Sequence, residues 1–79
     1  MNNQTLQYTI IIQPAEGGYI AFVPSLPGCM TQGKTLNEAK ENIKDAIAAY
    51  LEVLKEDGDK IPVETEHPLS LTVNVPSPA

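Results

Sequence analysis

The chain has 79 residues, 42% hydrophobic and 19% charged, which suits one small folded domain over residues 1–79 and excludes a disordered chain. Its net charge is −5, and all five bases are lysines; without arginine, the main reader of guanine and the best bidentate phosphate ligand, direct nucleic-acid binding is not expected. Cys29 is the sole cysteine, so neither an intrachain disulfide nor the usual zinc site can staple a core this small; with ordering costs of roughly 1.5 kcal/mol per residue, association into a homo-oligomer, dimer or tetramer, is the expected remedy.

From the amino terminus, residues 6–13 alternate as a strand, with Leu6, Tyr8, Ile10 and Ile12 on one face and Gln7, Thr9, Ile11 and Gln13 on the other. Residues 14–18 read as a five-residue hairpin turn in which Gly17 and Gly18 are free to adopt positive φ. A backbone nest for an anion is the other use of such a glycine pair, and the hairpin is the simpler reading. Residues 19–23 form a second strand. Pro24 to Gly28 is irregular, since each proline removes a ladder donor. Residues 29–32 form a short third strand that Gly33 stops.

Thr35-Leu36-Asn37-Glu38 is a capping box, with Thr35 as N-cap and Glu38 three residues on. The helix it opens runs to about Asp57, where Gly58 ends it. At about 100° per residue, Leu36, Ala39, Ile43, Ala46, Ile47, Tyr50 and Leu54 gather on one side. Residues 61–64 are an extended linker. Residues 69–75 form a final strand, with Leu69, Leu71, Val73 and Val75 alternating against Ser70, Thr72 and Asn74, and Pro76 ends it. The order β-β-β-α-β implies a two-layer α+β fold, an antiparallel sheet with one helix packed on a face. The far face of that sheet would carry Ile11, Ile20 and Phe22, an apolar patch of the kind that marks an interface.

The segment from Gly17 through Cys29, Gly-Gly-Tyr-Ile-Ala-Phe-Val-Pro-Ser-Leu-Pro-Gly-Cys, continues into Thr31-Gln32-Gly33-Lys34-Thr35 and then Glu38-Ala39, Asn42 and Ala46-Ile47. This pattern resembles the signature of HicB-type antitoxins. Gly18, Pro24, Pro27, Gly28, Gly33, Thr35 and Glu38 have fold-setting roles in it. Pro24 ends the second strand, Pro27-Gly28 makes a tight turn, Gly33 breaks the third strand, and Thr35 with Glu38 opens the helix. The resemblance implies a degenerate ribonuclease H-like fold without catalysis, and a partner of the HicA kind, a small basic ribonuclease toxin whose active histidine is covered. Many members of that family add a carboxy-terminal DNA-binding domain; only four residues follow Val75, so none is expected here.

Chemistry finds little support in the residues. A two-metal nuclease needs several strand-borne carboxylates, and residues 6–13, 19–23 and 69–75 contain no Asp or Glu. No catalytic, cofactor or metal-binding residue is expected. His67 reads as a solvated loop residue and Cys29 as a small core residue, because neither has a basic or nucleophilic companion at useful spacing. Glu38, Glu41, Asp45, Glu52 and Glu56 fall within about 60° of one another on the helix. An ordinary solvated face explains such a stripe; the alternative is that Glu41, Asp45, Glu52 and Glu56 dock a cationic partner. The expected function is a binding module, either an antitoxin occluding a basic ribonuclease or a solitary oligomeric adaptor without a toxin. No apolar run approaches the ~20 residues of a membrane span and the start lacks a basic signal flank, so a cytoplasmic setting is expected.

Overall fold

The computed structural model describes residues 5–78. Its elements are β1 (Ile11–Ala15), β2 (Gly18–Phe22), β3 (Met30–Gly33) and α1 (Leu36–Glu56), and the three strands form one antiparallel sheet in the order β1-β2-β3. α1 lies across one face, closest to β3 and β2 and least in touch with β1. The architecture is the expected two-layer α+β arrangement.

The hairpin is tighter than the five-residue turn expected. Ile11 pairs with Phe22 and Ala15 with Gly18, so only Glu16 and Gly17 form the turn, and Gly17 supplies the positive φ of 81°. Pro14 sits inside β1, opposite Tyr19. The Val23 amide donates to the Cys29 carbonyl at 3.1 Å, and strict alternation from that pair turns the odd residues of β2 toward β3 and the even ones toward β1. Pro14 therefore occupies a non-hydrogen-bonded pair on an edge strand, where its missing donor faces outward and costs the ladder nothing. The first strand also begins at Ile11 rather than residue 6, because β2 has no residue left to pair with residues 6–10 once the chain turns at Pro24. Tyr8, Ile10 and Ile12 nevertheless pack on the core, the face their alternation assigns.

Between β2 and β3 the chain makes two successive turns, each with proline at its second position. The Leu26 amide donates to the Val23 carbonyl at 3.0 Å across Pro24, and the Cys29 amide to the Leu26 carbonyl at 2.9 Å across Pro27-Gly28, with Gly28 at φ 84°. The double turn drives Leu26 inward until it is fully buried. The third strand is shifted by one residue from expectation and contains Gly33 instead of stopping there; Gly33 pairs with Tyr19. A Cβ on Gly33 would lie 2.4 Å from the Ala39 amide nitrogen, so the glycine is needed where the first turn of α1 seats on the strand. Gly18 has a matching role: its Cβ would meet the Gly33 carbonyl oxygen at 2.2 Å.

The helix begins and ends as its sequence requires. The Glu38 amide donates to Thr35 Oγ1 at 3.0 Å, while Glu38 Oε1 accepts from the Lys34 amide at 3.1 Å. At the other end Gly58, at φ 73°, donates to the Lys55 carbonyl and Asp59 to that of Leu54, a Schellman motif. Ala39 and Ile43 are buried with Ala21, Val23, Leu26 and Cys29, and Ala46, Ile47, Tyr50 and Leu51 pack around them. Leu36 departs from the expected stripe: it stands at the first helical position and is 55% exposed. Two side chains staple the layers, Asn42 Nδ2 to the Gln32 carbonyl at 2.9 Å and Tyr50 OH to the Pro27 carbonyl at 2.8 Å.

The expected final strand is not part of the sheet. Residues 69–75 join no ladder, and Leu69, Leu71, Val73 and Val75 are 74–86% exposed. The observed order is β-β-β-α. Alternation alone makes a strand only where a neighbour supplies the other half of the hydrogen bonds.

Candidate protein-interaction surface

Three surfaces and one polar knot stand out. On the sheet face opposite α1, the register sets Ile11, Phe22 and Met30 in one cross-strand row and Gln13, Ile20 and Gln32 in the next. No element covers this face among the described residues, which makes the predicted patch of Ile11, Ile20 and Phe22 real, with Met30 added to it. A second apolar surface is the groove between the outer edge of β3 and α1, lined by Cys29, Met30, Ala46, Tyr50, Val53 and Leu54. Sequence reasoning missed this groove. Met30 and Val53 carried no periodic signal for it, because it forms only where strand edge and helix meet.

The third surface is acidic. Glu38, Glu41, Asp45, Glu52 and Glu56 are all exposed on α1. Two are already engaged: Glu38 in the helix cap, and Glu41 in an exposed pair with Lys44 at 3.4 Å. A pair this exposed binds its partners weakly. Asp45, Glu52 and Glu56 make no ion pair among the described residues and form the open part of the stripe.

The polar knot lies where the linker after α1 returns to the strand side of the molecule. The Glu64 carboxylate accepts from the Thr9 amide at 3.0 Å, from Thr9 Oγ1, from Ser25 Oγ at 2.9 Å, and meets His67 Nδ1 at 2.7 Å. Tyr8 OH donates to the Pro62 carbonyl beside it. The Glu64 side chain is 3% exposed, and the bonds from Thr9 first, then those from His67 and Ser25, bring its pKa down from 4.5 to about 2. A carboxylate so fully bonded is a clamp, since a group held anionic this firmly is a poor base at neutral pH. The linker was expected to be merely extended; partners 55 residues away in sequence give no local sign. His67 is exposed as expected but has this carboxylate beside it. Tyr8 is pushed upward by burial and then by the Glu64 charge.

The fold-setting residues fall into three groups. Gly18 and Gly33 meet at the end of the β2–β3 pair, Pro24, Pro27 and Gly28 shape the double turn, and Thr35 and Glu38 cap α1. Cys29 is 4% exposed and burial pushes its thiol pKa up, as fits a core residue. Among the described residues no three His, Cys, Asp or Glu side chains are placed to hold a metal ion, and no helix is long and apolar enough to cross a membrane.

Residues 8–76 match the model of the family described as the HicB-like antitoxin of bacterial toxin–antitoxin systems. A UPF0150 protein of Thermoplasma acidophilum is 57% identical over 58 residues, covering 72% of this chain and 84% of the relative. The protein named Antitoxin HicB 1 of Photorhabdus laumondii is 38% identical over 61 residues, which is 76% of this chain but 39% of the relative. Among solved structures, a chain of a HicA3 and HicB3 toxin–antitoxin complex superposes with a TM-score of 0.63 at 29% identity, covering 70% of this chain and 64% of that one.

Proposed function

The chain belongs to the HicB-like antitoxin family, and from that premise we propose that it is, over residues 1–79, a single antitoxin domain that neutralises a small basic HicA-like ribonuclease by lying over its RNA site. The observation that carries the basic partner is the open acidic stripe of Asp45, Glu52 and Glu56 on a chain of net charge −5. Complementary fields of that kind speed encounter and set orientation. Inhibition would need no chemistry from this chain: β1, β2 and β3 carry no Asp or Glu, and the Glu64 carboxylate has its bonds filled from within.

Replacing Glu41, Asp45 and Glu52 together by lysine should slow association with the toxin on the order of tenfold at low salt and flatten its salt dependence. Stopped-flow association at several ionic strengths measures both. Rates that do not change across the series would remove the stripe from the interface. Protection of RNA from the toxin without a stable complex would overturn occlusion itself.

A further inference from the structure

We propose that residues 69–75 form a strand donated to a second copy of this chain, hydrogen-bonded along the outer edge of its β3, with Leu69, Leu71, Val73 and Val75 laid over the groove beside α1. The inference is independent of the toxin reading. It starts from two defects in one chain. A seven-residue alternating segment, bounded by Pro68 and Pro76, exposes four apolar side chains by 74–86% and has no ladder partner among the described residues. Among the described residues, meanwhile, the sheet ends in an unpaired edge at β3.

That edge can accept a strand. Met30 and Gln32 occupy non-hydrogen-bonded pairs with Phe22 and Ile20, so their backbone groups point outward. The Gln32 carbonyl is taken by Asn42, which leaves both amide hydrogens and the Met30 carbonyl available. No proline or charge lies within β3 to blunt it. A strand added there would set one side-chain row over Tyr50 and Val53 on the α1 side, and Val53 is 55% exposed. The β1 edge is a poorer acceptor, because Pro14 removes an outward donor and the chain's own linker is tied beside Tyr8 and Thr9.

The same tie selects a second copy over the chain itself. Pro62 and Glu64 are held on the β1 side, so residues 69–75 leave from the sheet edge opposite to β3, about two strand spacings (~10 Å) away. The molecule is 57 Å long against 28 and 21 Å in its other dimensions, more than the ~31 Å that a 21-residue helix accounts for. Neither residues 69–75 nor β3 carries a charge, so pairing avoids setting the net −5 of one copy against that of the other at the seam. Each copy offers the same strand and the same edge, so exchange closes around a twofold axis.

The test mixes two preparations of the full chain, one with Val53→Cys and the other with either Leu71→Cys or Val73→Cys, under mild oxidation. The expected product is a disulfide-linked pair of unlike chains, with none from a Thr72→Cys partner on the opposite strand face, and sedimentation of the unmodified chain at twice 8.5 kDa or a multiple of it. The double variant Leu71→Asp with Val73→Asp should sediment at 8.5 kDa with its helical circular dichroism retained. If that variant loses its helix, the cross-link decides, since it uses single changes at exposed positions. A chain monomeric at every concentration, or an oligomer in which unlike chains never cross-link, overturns the proposal.

Discussion

Glycines 17 and 33 separate two reasons for the same residue. Gly17 has open space around it and a φ of 81°, so Gly17→Ala bears only the backbone cost, roughly 1–2 kcal/mol. Gly33 has no unusual φ, but a methyl there would press on the backbone of Ala39, which cannot swing aside. Gly33→Ala should cost about 1–3 kcal/mol as an overpacking change and lift the start of α1 from β3. Thermal midpoints measure the cost, and loss of amide protection at Ala39 in Gly33→Ala but not in Gly17→Ala would show its place. The sequence marked Gly33 as important but misjudged why, because the reason depends on what packs against it. Glu64 was invisible for the same reason. Its folded pKa lies below 4.5, so its contribution is complete above about 4.5 and disappears as pH falls toward about 2. Exchange of the Thr9 amide should accelerate through that window, and Glu64→Gln should abolish the pH dependence; an unchanged profile in the variant would mean that Glu64 does not hold the linker.

At the scale of elements, α1 was legible end to end because the signals that start and stop a helix are local. Thr35, Glu38 and Gly58 lie within a few residues of the groups they satisfy. Thr35→Ala should therefore cost about 1 kcal/mol, lowering the thermal midpoint by roughly 4–8 °C in a domain of this size. Thr35→Ser, which keeps the acceptor, should recover most of the loss. Strands are different. β1 has five residues, not eight, because β2 offers five partners, and residues 69–75 have the right alternation but no partner among the described residues. Face assignment survived where boundaries failed, since Tyr8, Ile10 and Ile12 reach the core even beyond or at the end of the ladder. Side-chain parity is a property of the segment, and pairing is a property of the sheet.

At the scale of the molecule, the described core is six buried residues, two of them alanine, which is small for a stable independent domain. A strand exchanged between copies would add apolar burial where it is missing and couple stability to association, so the thermal midpoint should rise with protein concentration. The interaction surfaces also separate in space. Tyr50 and Leu54 lie about 150° and 170° around α1 from the centre of the acidic stripe and Val53 about 90°, so a strand in the groove leaves Asp45, Glu52 and Glu56 open. The two kinds of variant should therefore dissociate cleanly. Lysine at positions 41, 45 and 52 should change the salt dependence of toxin association and leave the sedimenting mass unaltered. Aspartate at positions 71 and 73 should halve the mass and remove the concentration dependence of the midpoint, while the salt slope of toxin association stays as it was. If the aspartate variant flattens that slope as much as the lysine series does, the groove and the stripe act as one surface, and the toxin, not a second copy, competes for the groove.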